Sequence, residues 1–132
     1  MRKSQIRVKA GHAMIDLIEN GELLDEGCNG QIRYNRGAIH LMSGLSGHMQ
    51  RLTVWHELVH LMMYQLGHNQ PEAHDEQVVD GLAHKLVEFL VNNPYLVVWT
   101  CNDGIDLFGD FSGEEEAREV VSGGVVGDEA VQ

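Results

Sequence analysis

From Ser46 to Gly67 the chain reads SGHMQRLTVWHELVHLMMYQLG. Leu52, Trp55, Val59, Met62, Met63 and Leu66 recur at spacings of three and four, which predicts a helix from about Gly47 to Leu66. Ser46 is placed to cap its start, and Gly67 to end it in a left-handed turn. Val54, Trp55, Leu58, Val59, Leu61 and Met62 surround His56-Glu57-Leu58-Val59-His60, and a helix apolar nearly all round is a buried one. His56 and His60, four residues apart, lie one turn apart on the same face. Burying two imidazoles and a carboxylate without partners is costly, and a metal ion supplies the partner. Imidazoles so spaced can both reach one zinc ion at about 2.0–2.1 Å. Glu57 stands on the neighbouring flank, where it can take a proton from a water whose pKa the metal lowers from ~15.7 towards ~7.

Downstream, His68-Asn69-Gln70-Pro71 reads as a short loop, and a second helix is expected from Pro71 or Glu72 to Asn92 or Asn93. Its apolar stripe is Val79, Leu82, Ala83, Leu86 and Leu90. Glu76 and Asp80 fall on that stripe, and carboxylates on a core-facing side need a reason. Coordination by Glu76 gives one, since a catalytic zinc usually takes three protein ligands and leaves a position open. Asp80, one turn on, can then bond the free ring nitrogen of a ligating histidine. His74 is the main competitor for third ligand. His84 reads more readily as a core histidine, and His12, His40, His48 and His68 as structural or surface residues.

Upstream, Ile6 to Leu17 alternates roughly, with a break at Gly11, and reads as a strand or hairpin. Gln31–Tyr34 and Ala38–Met42 read as short strands joined at Asn35-Arg36-Gly37. Tyr95–Cys101 is a short apolar run that could pack as an extended segment on the core, a case that periodicity cannot decide. From Asn102 onward the chain is rich in glycine and acid. One domain over residues 1–101 is therefore expected, followed by a loosely held tail over 102–132 with one short helix near Glu114–Val121.

Composition bounds the rest. The 132 residues suit one domain, and a formal net charge of −11 argues against nucleic acid as a partner. No apolar stretch approaches the ~20 residues needed to span a bilayer, and no apolar segment follows the basic start, which argues against a signal peptide. Cys28 and Cys101 are read as free thiols in a reducing cytoplasm.

Two helices carrying His-Glu-x-x-His and Glu-x-x-x-Asp resemble those of the gluzincin group of zinc peptidases. Trp55-His56-Glu57-Leu58-Val59-His60, the Glu76…Ala83 pair and Asn93-Pro94 resemble the ImmA/IrrE-type metallopeptidases and their phage and prophage relatives. The resemblance spans roughly residues 5–98 in pattern, with the specific motifs confined to 55–60 and 76–83. It implies an α+β, zincin-like fold, in which a small antiparallel N-terminal sheet precedes the two helices. It also implies a Zn2+ held by His56, His60 and Glu76, with Glu57 as general base in peptide-bond hydrolysis. For the residue that stabilises the oxyanion, Tyr34, Tyr64, His68 and His84 all stay open. In folds of this kind the strand before the motif helix is an exposed edge, so Ala38, Ile39, His40 and Leu41 are expected to dock a peptide or protein substrate. The competing expectation is a zinc-stabilised binding or regulatory module without turnover.

Overall fold

The structure, a computed structural model, describes residues 3–23 and 27–109. These belong to two compact units, one over Lys3–Val87 and one from Glu88 onward.

The first unit is α+β. Strands β1 (Gln5–Ala10) and β2 (Ala13–Glu19) form a hairpin, turned at Gly11 with φ +64°. β3 (Gly30–Arg33) leads through a 3-10 turn at Tyr34–Arg36 into β4 (Ala38–Leu41). Gly37 closes that turn at φ +60°, a conformation that favours glycine. The strand order is β1-β2-β4-β3. β4 runs antiparallel to β3 but parallel to β2, so the sheet is mixed where an antiparallel one was expected.

That order corrects the expected edge. Ala38, Ile39, His40 and Leu41 lie inside the sheet, paired on both sides, and Ile39 is fully buried. The cause is the connection between β2 and β3. It carries the chain past the position that β4 later fills, so β3 takes the edge and β4 returns between its neighbours. Sequence order therefore does not give strand order here.

Helix α1 spans Gly47–Gln65. The Ser46 hydroxyl accepts from the Met49 N–H at 3.2 Å, and Gly67 takes φ +102° beyond the last turn. α1 is apolar on two sides because it packs on two sides. Val54, Leu58 and Leu61 meet Ile15, Ile39 and Leu41 of the sheet. Trp55, Val59 and Met63 meet Val79, Ala83 and Leu86 of helix α2 (Glu76–Asn92). Each fully buried aliphatic chain here contributes about 1.5–3 kcal/mol. Met62 and Leu66, expected on the buried stripe, are exposed.

α2 starts later than expected. Pro71–Ala73 forms a separate 3-10 turn, and Asp75 is the cap, its Oδ1 accepting from Gln77 N–H at 2.9 Å and Val78 N–H at 3.3 Å. The buried residues of α2 are Val79, Ala83 and Val87, while Leu82 is exposed.

In the second unit, Pro94–Thr100 forms helix α3 rather than an extended segment. Pro94 opens it at a position where a missing N–H is no loss. Thr100 Oγ1 bonds back to Leu96 O at 2.6 Å, and the Asn102 side chain to Val98 O. The expected helix near Glu114–Val121 lies outside the described residues. Both cysteines are free, and among the described residues no helix is long and apolar enough to cross a membrane.

Candidate metal centre

Three side chains converge where the start of α2 meets the middle of α1. His60 Nε2 lies 2.8 Å from Glu76 Oε1, and His56 Nε2 lies 3.2 Å from Glu76 Oε2. One ligating atom from each of His56, His60 and Glu76 falls within 4.8 Å of the other two. Local structure explains the meeting. Helical spacing puts the two imidazoles on one face of α1. The Asp75 cap fixes Glu76 as the first residue of α2, at the helix end turned toward them.

The acids do not sit on the core side as the sequence pattern suggested. The Glu76 and Asp80 side chains are 68% and 57% exposed. They form their own ridge, with His84, beside the buried Val79–Ala83–Val87 stripe. Residues one apart on a helix differ by about 100°, enough to take Asp80 from the core to its border, where it meets α1. Asp80 Oδ1 lies 3.3 Å from His56 Nδ1, the nitrogen turned away from Glu76. His74 is not among the three convergent ligands. Its Nδ1 stands 2.8 Å from His60 Nδ1, behind the ring. His84, 52% exposed, donates through Nδ1 to the Asp80 carbonyl at 2.8 Å and belongs to no core. His40, by contrast, is half-buried against Asn20, as a structural histidine should be.

Glu57 is 7% exposed. Burial pushes its pKa above the ordinary carboxylate range. His56 opposes that rise, the charge of Glu76 adds to it, and the backbone N–H of Ile32 lowers it again. The His60 ring is shifted the other way, below the ordinary imidazole range, chiefly by burial; the neighbouring Glu76 charge opposes this. The ring is thus disposed to be neutral, the state in which it binds metal.

A cleft of about 310 Å³ opens beside the motif. Asn29 and Gly30 of the β3 end form one wall, Met49, Leu52 and Thr53 of α1 another, and Asp80 and His84 the third, with His56 and Glu57 on its lining. Gly30 permits the close approach of β3 to α1. A Cβ there would stand 2.5 Å from Thr53 Cγ2 and 3.5 Å from Glu57 Cγ. Tyr34, on the turn after β3, stacks on Tyr64 with ring centroids 4.4 Å apart. Burial raises its pKa first, and the charges of Glu57, Tyr64 and Glu76 raise it further, so its phenol keeps its proton within reach of their field. Of the four residues left open for the oxyanion, His84 lines the cleft, and Tyr34 stands within the electrostatic reach of Glu57 and Glu76. The sequence reading passed over Gly30 and Thr53. The one local hint was a glycine at the start of a strand, which signals close backbone approach.

No protein-family model, curated protein sequence or solved structure matches the chain.

The donor set fits a transition metal or zinc. Two imidazole nitrogens and one carboxylate oxygen make up one of the ligand sets of catalytic zinc. Both Nδ1 atoms are already engaged, by Asp80 and His74, which leaves both Nε2 atoms for the ion.

Proposed function

We propose that this chain is a zinc-dependent endopeptidase, with His56, His60 and Glu76 as ligands and Glu57 as general base. The convergence of two Nε2 atoms on one carboxylate, with a buried glutamate beside them, carries the reading. Bound Zn2+ would supply Lewis acidity, polarising a scissile carbonyl and lowering the pKa of a water. Glu57 takes the proton of the attacking water and passes it to the leaving amine. Its pKa is raised toward the operating pH, where a carboxylate can both accept a proton and return it. The Ile32 N–H orients its carboxylate. Tyr34 and His84 flank the site as donors for the oxyanion.

Substrate docking moves with the strand order. Among the described residues β3 pairs only with β4, so β3 is one of the sheet's two edges, and its start lines the cleft. Asn29 O accepts from Met42 N–H at 2.7 Å, and backbone direction alternates along an antiparallel strand, so Gly30 and Ile32 face away from β4. An extended peptide adding beside Gly30 would enter the cleft that Glu57 lines.

The test is metal analysis of the purified chain, followed by peptide-library cleavage with Glu57→Gln as control. The expected result is one zinc per chain and hydrolysis that the variant lacks. Zinc without turnover would instead make the chain a zinc-held binding module, and no metal uptake would end both readings.

A further inference from the structure

The ligand His60 is braced by a second histidine, and the position of each proton in that contact follows from the acceptors around it. His74 Nε2 lies 2.5 Å from the backbone oxygen of His68. A carbonyl oxygen only accepts, so His74 Nε2 carries the proton and, in a neutral ring, His74 Nδ1 carries the lone pair. His74 Nδ1 lies 2.8 Å from His60 Nδ1. Two nitrogens that close need one proton between them. The proton of His74 is already directed to His68, so His60 Nδ1 is the donor. His60 Nε2 is then left with its lone pair, 2.8 Å from Glu76 Oε1. Two acceptors face each other at that point, and a cation between them reconciles the pair.

The carbonyl that starts this sequence is aimed by the end of α1 itself. Leu66 N–H bonds to Met62 O and His68 N–H to Met63 O, each at 3.0 Å, while Gly67 turns through φ +102°. The ring centroids of His60 and His74 lie 5.0 Å apart with 20° between planes, so with 2.8 Å between the two Nδ1 atoms the rings meet edge to edge and nearly coplanar, as an in-plane N–H···N bond requires. His56 is held in the ordinary way, by the carboxylate of Asp80 on its Nδ1. Among the described residues His74, and no carboxylate, meets His60 Nδ1, and it extends the reach of a backbone carbonyl to do the same work.

We propose that His74 is a positioning residue that, with the His68 carbonyl, fixes His60 in the tautomer presenting Nε2 to the metal. Committed to His60 and His68, the His74 ring stays out of the coordination set, which keeps three protein ligands and an open position. This rests on the zinc reading above.

The test has two arms. In the first, side-chain 15N–1H NMR of the metal-free full chain, at mildly alkaline pH, reads the tautomers directly. The expected pattern is Nδ1–H for His60 and Nε2–H for His74, and Nε2–H on His60 or Nδ1–H on His74 overturns the proposal. In the second, zinc affinity is measured by chelator competition for His74→Phe and His74→Asn. Phenylalanine keeps an aromatic ring but cannot accept, and the expected loss is about 10- to 100-fold. Asparagine places an acceptor oxygen where Nδ1 stands, and is expected to recover most of that loss. Unchanged affinity in His74→Phe overturns the proposal. So does a Co2+ absorption spectrum showing one ligand fewer, which would make His74 a ligand. If His74→Phe does not fold, the tautomer pattern decides alone. A chain that takes up no zinc removes the metal reading, while the same NMR pattern still decides whether His74 and His68 set the proton on His60.

Discussion

Helix α1 has two interfaces of opposite character. Toward the sheet it presents Val54, Leu58 and Leu61 to Ile15, Ile39 and Leu41, a chiefly apolar contact with one hydrogen bond at its end, from Gln65 Nε2 to Ala10 O at 2.9 Å. Toward α2 it presents Trp55, Val59 and Met63 to a smaller apolar patch, and beside that patch His56 and His60 to Glu76, Asp80 and His74. The first interface is largely non-directional and sets where the helix lies. The second is directional and needs each atom placed, which it obtains from a capped helix start and an ordered turn at Gly67. Holding power and chemistry are thus divided between two sides of one helix. Glu57 sits at the seam, under β3 and beside the histidines.

The largest expected effect breaks the chemical side alone. Glu57→Gln should lower peptide turnover by roughly 100- to 10,000-fold, the usual range for removing a general base. Zinc content should be unchanged, because glutamine keeps the shape and His56, His60 and Glu76 are untouched. Turnover and bound zinc, measured on one preparation, check both halves.

Next comes the opposite cut. Ile39→Ala, at a fully buried position in β4, should cost about 2–5 kcal/mol of unfolding free energy. At temperatures where the variant is still folded it should bind zinc normally. Urea unfolding together with zinc titration distinguishes this from a variant that damages both sides.

Gly30→Ala probes the seam. The new Cβ would meet Thr53 Cγ2 at 2.5 Å, closer than real Cβ atoms come. A cost of about 1–3 kcal/mol is expected for such crowding, with relief on adding Thr53→Ser, which removes the opposing methyl. Thermal unfolding of the single and double variants reads the coupling. Additive losses would mean that the clash is absorbed elsewhere.

The smallest effect is a pH dependence of the metal-free chain. Burial raises the Glu57 pKa, so the folded state keeps a proton that the unfolded state has already released. Stability from this group is full below the ordinary carboxylate pKa and is lost as pH rises through the folded value. His60, held low by burial, acts in the other direction, losing stability as pH falls through the ordinary imidazole range. Glu57→Gln removes only the first effect. Metal-free Glu57→Gln should therefore gain stability over wild type as pH rises from acid toward neutral, although the same substitution is expected to lower turnover. Denaturant midpoints of both proteins across that range give the difference directly.

The legible parts of this molecule are the local ones. His56, Glu57 and His60 were readable because helical spacing alone puts them on adjoining flanks, and Ser46 and Gly67 because caps act within a turn. Glu76 was readable as a partner but not in its setting. Its place on the apolar stripe suggests a core face, whereas the Asp75 cap makes it the exposed first residue of α2. Asp75 carried a usable signal, since an aspartate just ahead of a periodic run is a common helix start. The position of β4 was not legible. Pairing β2 with β4 in parallel depends on a long-range closure that no window around Ala38–Leu41 contains. The helical state of Pro94–Thr100 was likewise undecided by an apolar run too short to show its period.

The route between β2 and β3 has a further consequence, for how such a cleft can change over time. That connection is pinned at Leu23, which is fully buried, and it ends at Asn29 on the wall of the cleft. Between them Gly27 takes φ +73°, and a Cβ there would meet nothing within 4 Å. Lengthening a flexible connection costs only about 0.6 kcal/mol for each doubling. Residues inserted next to Asn29 would therefore add material at one wall of the cleft without changing the sequence of α1 or α2. One wall of the cleft can thus vary apart from the three converging side chains, because Asn29 lies outside the two helices that carry them.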